Sequence, residues 1–515
     1  MSSIEQQNNK RIAKNTMLLY FRMLLTMVVG LYTSRVILRN LGVENFGIYN
    51  AVGGVVSMFA VVSGSLTTAV SRFLTFELGK GDLKKLKEVF CSSVTIQLLL
   101  SAVVVVLAES VGVWFLNHKM TIPADRMFAA NWVFQLSLLT FCIGLISVPY
   151  NAAIVAHERM AAFAYVGLID VFGKLAIAIG IASSPVDKLI FYAILMCFMS
   201  LLMRFIYGWF CKRNFEECSF HFVFRKNMLK KMFSFAGWNF IGASSAVLRD
   251  HGGNVIINMF CGPAVNAARG IAMQVNNSVS QFVNNFMTAL NPQITKSYAN
   301  GNNRYMMSLV FQGARLSFYM LMFLSFPIIF NTEYILSIWL KNVPEHTTFF
   351  VQLVLVFVMS ESISSPLITA MLATGKIRDY QIVVGGLQML NLPVSYLVLR
   401  NGCPPESVLI VAIVISQICL IARLIMLRKM IDLDVAGYVK HVYLNVWVVA
   451  IVACILPIML KMNCWFDTPF VKFIALCCIS TASSILSILF VGCNREDRML
   501  IYSKINAMKQ KVLKK

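Results

Sequence analysis

Pro149-x3-Ala153-x2-Ala156-x2-Arg159-x3-Phe163 returns 217 residues later as Pro366-x3-Ala370-x2-Ala373-x2-Lys376-x3-Tyr380. A second match has an offset of 220: Leu41-Gly42, Ala69, Gly81 and Lys84 fall on Cys261-Gly262, Ala289, Gly301 and Arg304. Two matches at nearly one offset describe a duplicated chain. Both sit at the ends of long apolar segments, so the repeated unit is a set of membrane helices. Two membrane halves with the same order and orientation form a transporter-like architecture.

Composition agrees. Of the 515 residues, 58% are hydrophobic and only 13% charged, with a mean hydropathy of +0.72. An ordinary soluble domain carries about 25% charged residues. Segments such as Val89–Leu107 and Ile474–Gly492 contain no charge, and about 20 apolar residues cross a bilayer core as one helix. The sequence predicts an all-α integral membrane protein of about 14 transmembrane helices. They group as two parallel six-helix bundles plus two extra C-terminal helices. The bundles occupy 1–211 and 212–429, the second including a preceding loop; helices 13 and 14 lie in 430–493, and a basic amphipathic tail in 494–515. The expected spans include 46–70, 234–260 and 265–289, the last of them polar along much of its length.

The net charge of +22 is a topological signal. With the amino terminus inside, Lys and Arg cluster in segments such as Lys80 to Lys87 and Lys212 to Lys231, and the outer loops stay poor in them. An even helix count puts both termini in the cytoplasm. A nucleic-acid partner would need a basic face on a soluble domain, and none is predicted. The first apolar run is too long for a cleavable signal. The loop Cys211–Lys231 mixes Phe220, Phe222 and Phe224 with basic residues and reads as interfacial. The thirteen cysteines lack metal or disulfide spacing. His157-Glu158 begins like a zinc-protease motif but has no second His at the required spacing. No metal site and no cofactor are expected.

Ionisable groups inside spans are costly and face a partner or a cavity. Arg35, Arg204, Arg315 and Arg423 lie near enough to an interface to snorkel. Asp170 and Lys174, spaced i,i+4, read either as an ion pair or as an ion-coupling site. Arg249-Asp250-His251 lies near the middle of its span, with Gly252-Gly253 next to it. Asn239, Asp250, Asn254 and Asn258 fall on roughly one face. The following span opens on Arg269 and carries Gln274, Asn276, Asn277, Ser278, Ser280, Gln281, Asn284 and Asn285. Asn276, Ser280 and Asn284 form a stripe at i, i+4, i+8. Such amides either bond neighbouring helices or line a wet cavity. Arginine suits a phosphate and amides suit sugar hydroxyls. Glu361 precedes Pro366 and could take up H+ or Na+.

Three stretches carry a family resemblance: Arg39-Asn40-Leu41-Gly42-Val43-Glu44-Asn45-Phe46-Gly47-Ile48-Tyr49; Pro149 through His157-Glu158-Arg159-Met160 to Tyr165; and Ala289-Leu290-Asn291-Pro292-Gln293 with Tyr298-Ala299-Asn300-Gly301. In these the chain resembles the multidrug/oligosaccharidyl-lipid/polysaccharide exporter superfamily, with its MATE-like fold. Within it, the chain is most similar to the O-antigen and capsule repeat-unit flippases. The resemblance implies a cationic central cavity and movement of undecaprenyl-diphosphate oligosaccharides from the inner to the outer leaflet by alternating access. It implies a bacterial cytoplasmic membrane, contact with membrane lipids, and the polysaccharide polymerase and chain-length machinery as partners. Arg22, Arg249 and Arg269 are the expected diphosphate ligands. Asn239, Asp250, Asn254, Asn276, Ser280 and Asn284 are the expected polar lining, and Asp170 and Glu361 the expected coupling groups. A cation-coupled multidrug antiporter of the same fold is the nearest alternative, but span one holds Arg22 and no acid. A membrane polymerase or glycosyltransferase would need a long outer loop, and a scaffold would leave the polar spans unexplained.

Overall fold

The computed structural model describes residues 3–42, 45, 48, 49, 52, 53, 56, 60–118, 122–219, 221, 225–340, 343–462 and 468–493. The basic tail, loop residues Phe220, Phe222 and Phe224, and part of the expected span 46–70 lie outside them. Every regular element among the described residues is helical. The helices are α1 (Ser3–Leu41), α2 (Ala60–Lys80), α3 (Leu83–Leu107), α4 (Met127–Ala156), α5 (Met160–Gly180), α6 (Lys188–Asn214), α7 (Lys226–Val247) and α8 (Gly253–Ala299). They continue as α9 (Asn303–Phe330), α10 (Thr347–Ser362), α11 (Ser365–Thr374), α12 (Asn391–Arg400), α13 (Ser407–Ile431), α14 (Leu444–Met462) and α15 (Pro469–Ser487). Among the described residues, eleven helical stretches are long and apolar enough to cross a membrane. The expected spans at 234–260 and 265–289 are helical in α7 and α8 but too polar to be among them. This is a multi-pass membrane protein.

Local chemistry sets the helix ends. Asp82 caps α3 by accepting from the Lys85 amide at 3.1 Å. Asp187 caps α6 through the Leu189 and Ile190 amides at 3.0 and 3.2 Å, and also takes a 2.5 Å bond from Arg126. Each such cap is worth about 1 kcal/mol. α8 is broken at Gly262, whose φ of 82° and ψ of 176° leave the helix. Wide π-type turns occur at Ala108–Gly112, Leu248–Gly252, Gln381–Gly385, Val439–Tyr443 and Ile488–Gly492.

The duplication is visible in the backbone. Gly42 and Gly262 share left-handed φ values of 81° and 82°, and Gly81 and Gly301 share 73°. Glu158 and Gly375, related by the 217-residue offset, have φ of 59° and 75°. Glycine takes this conformation without strain, whereas another residue gives up roughly 1–2 kcal/mol. Glu158 is therefore the exception among the three pairs.

The chain packs as two compact units. The first takes Met1–Ser244 together with Thr288–Asn303 and Leu372–Arg378. Within it α4 lies against α6, α2 and α3, and α1 lies along α5. Leu19, Met160 and Ala289 share a small core there, which ties the end of α8 to α1 and α5. The second unit takes Ser245–Met287, Arg304–Met371 and Asp379–Lys515. In it α13 packs on α10 and α12, and α14 on α15.

Candidate functional site

The second unit holds a cleft lined in part by Arg249, Asp250, Arg269, Asn276, Asn391 and Ser395. The wide turn at Leu248–Gly252 carries Arg249 and Asp250, and α8 carries Arg269. Arg249 Nε donates to Asp250 Oδ1 at 2.9 Å, and Nη2 to Oδ2 at 3.4 Å. The Arg249 guanidinium also lies 5.1 Å from the Phe357 ring centre. Arg269 is 2% exposed. Its Nη1 donates to the Asp250 carbonyl at 3.0 Å and to the Asn254 side chain, while its Nε has no partner. Gly253 makes room for it, since a Cβ there would sit 2.8 Å from Arg269 Nη2. The Asn391 side-chain oxygen is also buried and unpartnered. Two arginines facing one aspartate leave the cleft with one positive charge in excess.

A second charge group in the same unit centres on Glu361. Its carboxylate accepts from Ser416 Oγ at 2.6 Å and lies 3.8 Å from Arg423 Nη2. Arg423 Nε donates to Tyr380 Oη at 3.3 Å. Arg423, expected to snorkel, is instead 2% exposed. Its partners come from other segments of the second unit, so hydropathy around residue 423 carried no sign of them.

The amide-rich face of α8 is displaced from the expected one. Asn276 and Ser280 are half-buried and bonded to each other at 3.1 Å. The exposed stripe is Gln274, Asn277, Gln281 and Asn284, with Ser278 beside it. Their 3- and 4-residue spacing makes them one helix face. The sequence contained that stripe, but burial was needed to choose between it and its neighbour. Asn239 precedes the wide turn, Asp250 lies within it, and Asn254 and Asn258 follow it. A single helical period therefore does not run through all four. Asn239, Asp250 and Asn254 are half-buried, and Asn258 is exposed.

Arg22 and Asp170 belong to the first unit. The Arg22 guanidinium lies 4.4 Å from the Phe163 ring centre. It fits over Gly167, where a Cβ would approach Arg22 Nε to 2.3 Å. Asp170 accepts from Lys174 Nζ at 2.7 Å on the same helix. The structure thus brings Arg249, Asp250, Arg269, Asn254 and Asn276 together. Glu361 is carried by α10, which also contributes Phe357 to the cleft. Among the described residues no cluster of His, Cys, Asp or Glu could hold a metal ion.

Residues 12–298 match the family described as polysaccharide biosynthesis protein, which is more than half of the chain. The chain belongs to that family. A search of the curated proteins finds no match. Its fold is that of MATE transporters in the MOP superfamily. An outward-facing multidrug resistance MATE family transporter of that superfamily superposes with a TM-score of 0.72 at 11% identity, covering 82% of this chain and 96% of that one. A MATE in the bent conformation gives 0.70 at 11%, covering 85% and 100%. A MOP superfamily transporter from Pyrococcus furiosus, described by a reversed polarity of its binding pocket, gives 0.68 at 12%, covering 84% and 98%.

Proposed function

We propose that this protein is a transporter, not an enzyme, and that it flips polyprenyl-diphosphate-linked oligosaccharide repeat units. The lipid is undecaprenyl diphosphate, and movement runs from the inner to the outer leaflet of the cytoplasmic membrane by alternating access. Both termini lie in the cytoplasm, as the distribution of Lys and Arg supports. The observation that carries the reading is the exposed stripe Gln274, Asn277, Gln281 and Asn284 on a helix beginning at the Arg269 cleft. Amides at membrane depth are not left in lipid. A face of amides beside excess positive charge suits a cargo with hydroxyls at one end and phosphates at the other. The fold hosts multidrug transporters too, so the cargo is argued from these side chains.

In this reading Arg249 contacts the diphosphate, Arg269 holds the Asp250 turn while adding its charge, and Arg22, in the first unit, is a separate candidate for the diphosphate. Asp250 neutralises Arg249 until a phosphate competes for it. Asn239, Asn254, Asn276, Ser280 and Asn284 belong to the polar path. Glu361 is the proposed site of H+ or Na+ coupling, because its carboxylate is 27% exposed and, among the described residues, is held by a serine and a distant guanidinium. Asp170, already paired with Lys174, is the lesser candidate. Delivered repeat units would pass to a polymerase and its chain-length machinery.

The test is translocation of a labelled polyprenyl-diphosphate oligosaccharide in proteoliposomes. Wild-type protein should flip it, and Arg249→Ala should abolish flipping while reaching wild-type expression. Normal flipping by Arg249→Ala removes Arg249 from the site. No flipping with several sugar heads, together with uptake of a cationic dye, would establish the drug-antiporter alternative.

A further inference from the structure

Two contacts inside the first unit join chain from one repeat to chain from the other. In one, the Glu158 carboxylate, 7% exposed, accepts from Lys296 Nζ and Gln293 Nε2, both at 2.5 Å. The Glu158 carbonyl accepts from Asn15 Nδ2 at 3.3 Å. In the other, Arg72 Nη2 donates to the Ala373 carbonyl at 2.9 Å. The Arg72 guanidinium lies 4.7 and 4.5 Å from the Phe73 and Phe76 ring centres. Gly375 leaves space for it, as a Cβ there would approach Arg72 Nη2 to 2.6 Å.

The repeat offsets relate these contacts. Glu158 corresponds to Gly375 and Ala156 to Ala373; Phe76 corresponds to Lys296. Lys296 near the end of α8 thus binds Glu158 just after α4, and Arg72 on α2 binds the last turn of α11, each crossing from one repeat to the other. The two cations are not themselves equivalents, since Arg72 falls on Pro292 and Lys296 on Phe76. The two clasps differ at the left-handed residue. The second repeat has the glycine that the backbone prefers, and the first has a strained glutamate. A glutamate that spends backbone energy only to place its carboxylate under Lys296 and Gln293 is there for the clasp. Gly79 adds a close approach at the same place: a Cβ on it would lie 3.0 Å from Ala299 Cβ.

We propose that Glu158–Lys296–Gln293 and Arg72–Ala373 form a two-part latch between the repeats, which must open for this end of the protein to open during transport. Glu158 is a positioning residue for that motion and touches no cargo. The inference rests on the alternating-access reading above.

The first measurement needs no cargo. In a background without other reactive cysteines, Ala299→Cys is labelled with a membrane-impermeant maleimide in the full-length protein. Glu158→Gln should raise the labelling rate about ten-fold, since a charge-assisted contact is lost. Glu158→Gly should do the same while easing the backbone, which separates loss of the clasp from misfolding. The exchange Glu158→Lys with Lys296→Glu should return the rate toward wild type. Unchanged labelling in both single variants overturns the latch.

The second measurement uses transport. Glu158→Cys with Lys296→Cys, bridged by a short bis-methanethiosulfonate, should lose translocation and regain it on reduction. Full translocation by the bridged protein overturns the proposal. Altered labelling with no flipping of any lipid-linked sugar would sink the cargo reading and leave the latch standing.

Discussion

The candidate site charges of the two units are satisfied in different ways. In the first unit they stand apart from one another, Arg22 against the Phe163 ring and Asp170 with Lys174 on its own helix, while that unit's Glu158–Lys296–Gln293 contact joins distant segments. In the second unit Arg249, Asp250 and Arg269 share partners, and Glu361 and Arg423 draw on three separate segments. Local pairs can be removed one at a time with small consequences. A shared network cannot, because removing one member leaves another buried without compensation. The shared network of charges lies in the second unit.

The largest effect should follow Arg423→Ala. Glu361 and Tyr380 would lose their guanidinium in a 2% exposed position, at a cost of about 3–5 kcal/mol. Thermal unfolding in detergent reads it, and a midpoint near wild type would show that the network is not shared. Next comes Arg269→Ala, which frees the Asp250 carbonyl and Asn254. It should lower stability by about 2–3 kcal/mol and impair transport, and Arg269→Lys should not restore either fully because the forked geometry is lost. Arg22→Ala should lower stability by only about 0.5–1 kcal/mol, the value of one cation–π contact. A larger loss would mean that Arg22 belongs to a network as well. Asp170 and Lys174 should show the least: a double-mutant cycle should give a coupling of about 0.3–0.5 kcal/mol for an i,i+4 pair. Stronger coupling, or loss of ion-driven uptake in Asp170→Asn, would erase the contrast and make Asp170 a coupling group.

Much of the architecture was legible because membrane helices and duplicated turns leave strong marks. Apolar runs gave most spans, and the offset matches located two of the three left-handed pairs. The remaining features depended on burial or on residues distant in sequence. Glu158 hides its left-handed backbone because nothing about a glutamate announces it, although its partner position, Gly375, does. Arg423 looked like an interfacial arginine because Glu361 and Tyr380 lie 62 and 43 residues away. On α8 the amides were plain, but choosing between the faces of Asn276 and Asn277 required knowing which one packs. Arg249 and Asp250 are neighbours in the sequence, whereas the grip of Arg269 on the Asp250 carbonyl has no counterpart there, because carbonyls are invisible in a sequence.

The wide turn at Leu248–Gly252 has a consequence for how such a chain can change over time. A π-type turn is a helix carrying one extra residue. Five residues of such a turn sweep roughly the angle of four in a regular helix, so a one-codon deletion there straightens the turn and leaves the faces of the flanking helices in nearly their present register. The turn that carries Arg249 and Asp250 is thus a feature that inheritance can remove in a single step without re-aiming the rest of either helix.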